Sequence, residues 1–175
     1  MRMHVHICPR SADRKVIQPI YGENYDDHWR GMSIKGRRIL DLGCDLGSTA
    51  DYFLRNGAIS VVGVDANQEY IESAWNSNLD NFLPIRMIIT HSKQVEVLIN
   101  TIMPDVVKVD IEGAEAVLLD LSREILRKPL EWGIETHTSE LFERISEKYL
   151  SAGFEVSKTE YFRGGSCAVI IAKRK

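Results

Sequence analysis

Four short runs of this sequence carry side chains whose types and spacing suit chemistry. The first is Asp41-Leu-Gly-Cys-Asp-Leu-Gly-Ser-Thr49. Gly43 and Gly47 lack a Cβ, so the backbone there can pass close to a ligand. The pattern departs from the dinucleotide fingerprint: Asp45 stands where its second glycine would be, and no third glycine opens the next helix. Asp41 and Asp45 would repel a pyrophosphate, whereas a sulfonium or an ammonium suits them. The second run, Val61-Val-Gly-Val-Asp-Ala-Asn67, ends a β-branched stretch on Asp65. An acid at that place accepts hydrogen bonds from ribose hydroxyls, and the bland alternative is a helix N-cap.

The third run is Asp105-Val-Val-Lys-Val-Asp-Ile-Glu-Gly-Ala-Glu115. In a strand, Lys108 and Asp110 share one face. A lysine inside an apolar strand is costly unless paired, which predicts an ion pair with a neighbouring carboxylate. Asp110, Glu112 and Glu115 then gather at the strand's carboxyl end. The fourth run, Gly133-Ile-Glu-Thr-His137, puts Glu135 and His137 on one strand face. A histidine beside carboxylates suits a general base for a hydroxyl nucleophile, and the alternative is a surface histidine at a helix start.

The elements that must position these runs follow from periodicity. Arg38 to Leu42, Ile59 to Val64, Pro84 to Thr90, Asp105 to Ile111 and Trp132 to Thr136 read as strands. Ser48 to Arg55, Asn67 to Asn76, Ser92 to Ile102, Ala114 to Leu126 and Ser139 to Leu150 read as helices. Phe154 to Glu160 and Ser166 to Ala172 close the chain as two strands around a turn at Gly164-Gly165. Alternating strands and helices imply a parallel, doubly wound sheet, and the terminal hairpin tucks one antiparallel strand into it. Residues 1–37 have weak periodicity and are expected to form an N-terminal extension covering the ligand site, ahead of one domain over 38–175.

The chain has 175 residues, 44% hydrophobic and 27% charged, with a formal net charge of −3. That is a single-domain composition with no global basic field to draw it toward nucleic acid. No run is long and apolar enough to span a bilayer, and Met1 to Lys15 lacks the apolar block of a signal peptide. Cys8, Cys44 and Cys167 do not read as a disulfide framework, so a reduced, cytoplasmic setting is expected. His4-Val-His-Ile-Cys8 alternates metal-type ligands, but no second cluster follows nearby and a strand or tail is the better reading.

The runs at 41–49, 108–115 and 134–137 resemble, in order and spacing, three signatures of the FkbM family of methyltransferases. The similarity covers about Arg38 to Ala172, and its most specific part is Lys108 to Glu115. The single antiparallel strand marks the class I methyltransferase fold, a Rossmann-like seven-stranded sheet. The resemblance implies S-adenosylmethionine as cofactor and O-methylation of a hydroxyl, with sugars prominent among acceptors. Asp65 stands where family members commonly carry Glu, which keeps the carboxylate. Asp41, Gly43, Gly47, Asp65, Ala66, His91, Ser92 and Asp110 are then expected at the cofactor, with His91 or Ser92 beside the adenine. His137, Asp110 and Glu135 are expected at the acceptor, and no metal is assigned. Asp110, Glu112, Glu115 and Glu135 offer an alternative in which excess carboxylates hold a divalent cation. The expected partner is a small molecule or sugar, with no membrane. An RNA acceptor is the alternative that the net charge disfavours, and a cofactor-binding module without catalysis is another. Asn-Pro-Pro-Tyr, the usual amino-methyltransferase signature, is absent from the sequence.

Overall fold

A computed structural model describes residues 25–158 and 167–175. Seven strands form one sheet: β1 (Arg38–Leu42), β2 (Ser60–Asp65), β3 (Phe82–Arg86), β4 (Val106–Val109), β5 (Glu131–Thr136), β6 (Phe154–Lys158) and β7 (Ala168–Arg174). Their spatial order is β3-β2-β1-β4-β5-β7-β6. β1 to β5 run parallel, and β7 lies antiparallel between β5 and β6. The turn expected at Gly164-Gly165, together with His4, His6 and Cys8, lies outside the described residues.

Helices α1 (Tyr25–His28), α2 (Ser48–Arg55), α3 (Gln68–Asn76), α4 (Ser92–Ile102), α5 (Arg123–Leu126) and α6 (Ser139–Ser151) flank the sheet. Because strand side chains alternate, the central strands feed two cores. Leu40, Leu42, Val107, Val109, Trp132 and Ile134 enter one core, which α4 and α6 cover with Val95, Ile99, Ile145 and Tyr149. Ile39, Val106, Val169 and Ile171 enter the other, where they meet Phe53 of α2 together with Trp29, Met32 and Ile34. Residues 29–34 therefore form part of the core on that face. Tyr25 reaches the start of α2, where its hydroxyl lies 2.8 Å from Ser48 Oγ.

Two element readings are corrected. The expected helix Ala114–Leu126 is broken into a 3-10 helix over Glu115–Asp120 and the short α5. Leu121 is extended at the break, and Ser122 starts α5 by accepting a hydrogen bond from Ile125 N. The third strand begins before Pro84 and ends at Arg86. β3 is an edge strand, where the missing N–H of a proline costs no ladder bond on its open side. Residues 87–90 leave the sheet and form a wall, held by Gln94. Its Oε1 accepts from Thr90 N at 2.8 Å and His91 N at 3.0 Å, and its Nε2 donates to Ile88 O at 2.7 Å.

Candidate active site

The carboxyl ends of β1, β2 and β4 surround a cavity of about 220 Å³, lined among others by Gly43, Asp65, Ala66, Ile88, Asp110 and Glu112. This is where an open α/β sheet takes its ligand. Gly43 follows β1 at φ +82°, and a Cβ there would collide with the carbonyl oxygen of Asp110. Gly47, at φ +89°, starts α2 against Phe82, whose Cε1 would stand 2.8 Å from a Cβ. Both glycines answer to close approach between strands as well as to their backbone angles. Gly47 packs on Phe82 rather than lining the cavity.

Asp65 leaves β2 with both oxygens engaged. Oδ2 accepts from Asp45 N at 3.1 Å and Oδ1 from Asn67 N at 2.8 Å. The N-cap of α3 is Asn67, whose Oδ1 accepts from Glu69 N and Tyr70 N. Asp65 is thus the tie between the glycine loop and the next turn. A carboxylate offers about four lone-pair sites, so each oxygen keeps acceptor capacity toward the cavity.

Beneath the loop lies an ion pair wholly removed from water. Lys108 Nζ is 3.0 Å from Asp41 Oδ1 and 3.9 Å from Asp110 Oδ2, and the Lys108 and Asp41 side chains are 1% and 0% exposed. Asp41 is paired with Lys108 because the parallel register of β1 and β4 sets them side by side. Lys108 Nζ also donates to Gly43 O and stands 5.7 Å from the Trp29 ring centroid. Thr49 Oγ1 donates to Asp41 Oδ2 at 2.6 Å. Burial pushes the Asp41 carboxyl up, against the opposing pull of Lys108. Burial also works against the Lys108 ammonium, but Asp41 and Asp110 together hold its pKa above the usual lysine range. Asp41 does not line the cavity. Lys108 and Thr49 stand against its two oxygens beneath the loop.

A second cluster sits where β4 and β5 end side by side. His137 Nδ1 is 3.2 Å from Glu115 Oε1, and its Nε2 is 3.4 Å from Glu112 Oε2 and 3.8 Å from Asp110 Oδ1. Glu115 is wholly buried, and its Oε1 accepts from Ile111 N and Gly113 N at 3.1 Å each. The chain turns sharply to allow this, with Glu112 at φ +52° and Gly113 at φ +97°. The Glu115 carboxylate, and beyond it Asp110 and Glu112, raise the His137 pKa to about 9 against a smaller effect of burial. Burial alone would raise Glu115; His137 and the backbone N–H groups of Gly113 and Glu115 itself bring it below the usual range. An imidazole with that pKa is protonated at neutral pH and has no lone pair to take a further proton. In that state the ring is poorly suited to the base role expected for it, and its charge lies against the three acids.

Glu135 is buried, with His28 Nε2 at 4.0 Å from its Oε2. Of the residues expected at the cofactor, Gly43, Asp65, Ala66 and Asp110 line the cavity. His91 and Ser92 do not: they open α4, and Met87, Ile88 and Ile89 line the cavity ahead of them. Those three were read as strand, and only the run of apolar residues before a capped helix signals them. None of residues 25–37 lines the cavity, so the described part of the extension does not cover it. Among the described residues no helix is long and apolar enough to cross a membrane.

Strand order and the single antiparallel strand are those of the class I methyltransferases, and solved structures share them. Fibrillarin of Aeropyrum pernix, in complex with natively bound S-adenosyl-L-methionine, matches with a TM-score of 0.59 at 19% identity, over 79% of this chain and 66% of that one. The ribosomal protein L11 methylase of Lactobacillus delbrueckii subsp. bulgaricus matches with a TM-score of 0.60 at 17% identity, over 92% and 91%. In sequence, 76 residues are 34% identical to the tRNA U34 carboxymethyltransferase of Pseudomonas fluorescens, covering 38% of this chain. The matched stretches span only 16% and 24% of the lengths of the curated relatives found. No protein-family profile matches the chain.

Proposed function

We propose that this chain is an S-adenosylmethionine-dependent methyltransferase of FkbM-like type that methylates a hydroxyl on a small molecule or sugar. The observation that carries the reading is the cavity between Gly43, Asp65 and Asp110. Among the described residues its charged lining is carboxylate only, from Asp65, Asp110 and Glu112, with an apolar wall at Met87–Ile89. That lining suits a cationic ligand with a ribose and a flat base, and it opposes a pyrophosphate. When bound, S-adenosylmethionine supplies an electrophilic methyl on a sulfonium. Asp65 accepts hydrogen bonds from the ribose hydroxyls, and Gly43 leaves room for the methionine portion. Met87, Ile88 and Ile89 offer the base an apolar surface. Asp110 stands between the cavity and His137 and accepts the proton that the acceptor hydroxyl loses. His137 fixes the orientation of Asp110 and Glu112 through its charge. The protein's contribution to rate is then chiefly placement of acceptor and methyl in line.

Among the described residues, several basic groups lie at the opposite end of the sheet. Arg30, Lys35 and Arg37 line a groove of about 540 Å³ beside the start of β1. Lys173 and Arg174 end β7 next to the start of β5. A phosphate backbone drawn to that end would lie away from the acid-lined cavity, so the charge distribution favours a small, phosphate-poor acceptor over RNA. Isothermal calorimetry of the full chain with S-adenosylhomocysteine and with NAD tests the reading. Micromolar affinity for S-adenosylhomocysteine is the expected result. Micromolar NAD binding with no response to S-adenosylhomocysteine overturns it.

A further inference from the structure

We infer that Asp110, Glu112 and His137 form a binding site for a divalent cation of the Mn²⁺ class at the acceptor side of the cavity. Its role in catalysis rests on the methyl-transfer reading above; its existence as a site does not.

Three donors of suitable chemistry converge there. Ligand atoms of Asp110, Glu112 and His137 all lie within 4.8 Å of one another. His137 Nε2 faces both carboxylates, at 3.4 Å from Glu112 Oε2 and 3.8 Å from Asp110 Oδ1. Ligand atoms on adjacent corners of an octahedral shell with bonds near 2.1 Å stand about 3 Å apart. The two carboxylate oxygens need to approach His137 Nε2 by less than an ångström, and Glu112 is the residue free to move, since its side chain is 74% exposed. Two carboxylate oxygens and one imidazole suit Mn²⁺ better than a thiolate-seeking ion.

Support behind the ligands points the same way. A metal-bound imidazole characteristically turns its other nitrogen to a carboxylate that fixes ring orientation. Here that carboxylate is Glu115, with Oε1 3.2 Å from His137 Nδ1. Glu115 is fully buried, and its second oxygen, Oε2, is shielded from water and accepts no hydrogen bond. Asp110 Oδ1, the atom turned to His137 Nε2, is likewise shielded and without a hydrogen bond. Carboxylate oxygens left in this state beside His137 retain acceptor capacity that a cation would use. Lys108 does not fill the need alone, because its nearest carboxylate is Asp41 at 3.0 Å, against 3.9 Å to Asp110.

Since Asp110 and Glu112 also line the cavity, an ion held by them has open positions toward an acceptor. A hydroxyl oxygen bound there ionises more readily. With the ion in place, Asp110 is a ligand instead of the base and His137 has given up its proton: the hydroxyl O–H bond breaks, its electron pair stays on the oxygen that the ion holds, and the proton leaves to solvent water at the mouth of the cavity.

A competing placement uses the other side of His137, where ligand atoms of Glu135, His137 and Cys167 also lie within 4.8 Å of one another. The two placements separate by mutation. Chelator-treated full-length protein is titrated with Mn²⁺ at about pH 8.5, where protons compete less for imidazole. Loss of the free-ion electron paramagnetic resonance signal reports binding, and circular dichroism confirms that each variant is folded. We expect one Mn²⁺ per chain in the wild type. His137→Ala and Asp110→Asn should each weaken binding at least about ten-fold, and Glu115→Gln should weaken it about ten-fold or more through ring orientation. Cys167→Ser should bind as wild type. No binding by the wild type at millimolar Mn²⁺ overturns the site, as does unchanged binding by folded His137→Ala and Asp110→Asn proteins. Loss of binding in folded Cys167→Ser overturns the assignment of ligands. Calorimetry with S-adenosylhomocysteine on the same samples keeps the two ideas apart. Cofactor binding without Mn²⁺ binding removes only the metal site, whereas Mn²⁺ binding without cofactor binding removes the methyltransferase reading.

Discussion

Two ion clusters lie a few residues apart on β4, and they are built to opposite ends. Lys108 and Asp41 have 1% and 0% side-chain exposure and no contact with the cavity. Asp110 and Glu112, on the same strand's exit, border the cavity, and their partner His137 keeps 18% exposure. The inner pair is locked by strand register, a threonine hydroxyl and a backbone carbonyl. The outer one hangs on a sharp turn and one exposed glutamate. A buried pair held by strand register contributes rigidity, and a half-buried cluster with an excess of acid retains capacity for a ligand.

Breaking the inner pair should have the largest effect. Lys108→Met leaves Asp41 buried without its cation and should cost about 3 to 5 kcal/mol of folding free energy, measured by urea denaturation. A loss below about 1 kcal/mol would show that the pair is no staple. The double variant Lys108→Met with Asp41→Leu should recover much of the loss, because no charge is then stranded.

The next largest effect should fall on binding. Asp65→Ala should weaken S-adenosylhomocysteine by about 1.5 to 3 kcal/mol, as hydrogen bonds to a charged group do. The glycine loop also loses its tie to Asp65 Oδ2, so the unliganded melting temperature should fall slightly. An Asp65→Ala protein that binds normally would reduce Asp65 to a loop tie. Asp65→Glu should be milder than Asp65→Ala.

The outer cluster should show itself in pH. With a folded pKa raised to about 9 from 6.5, protonated His137 stabilises the folded chain fully below about pH 6.5. That contribution declines as pH rises and is gone above about 9. In chelator-treated protein, the stability of wild type over His137→Gln should therefore be about 1 to 2 kcal/mol at pH 6, allowing for solvent screening, and near zero at pH 9.5. A difference that stays constant across this range would mean that the ring acts by packing. If the methyl-transfer reading holds, His137→Gln should also slow transfer while leaving S-adenosylhomocysteine affinity near wild type.

Much of the architecture was legible from periodicity alone. α2 and α4 begin and end where the pattern places them, because a glycine turn precedes one and Pro104 follows the other closely. Pairing was harder to read. Lys108 announces that it needs a carboxylate, but only the lateral register of β1 on β4 selects Asp41 over Asp110. The same limit applies to His137. Its spacing from Glu135 suggested a shared strand face, yet the groups that set its charge come from the turn after β4. Glu112 and Glu115 reach it through left-handed backbone at Glu112 that no propensity marks. The break at Leu121 was masked by a run of helix formers, with Ser122 as the one local sign of a fresh start.

The contact between Gly43 and the Asp110 carbonyl has a mechanical consequence. With no space for even a methyl group between them, the loop after β1 rests directly on the loop after β4, and neither can shift toward the other. Lys108 adds a second fastener, gripping Gly43 from below while facing Asp110. The two walls of the cavity thus behave as one jaw rather than two. Whatever settles against the loop after β1 sets the position of the carboxylates opposite, and a disturbance of those carboxylates is felt at the loop.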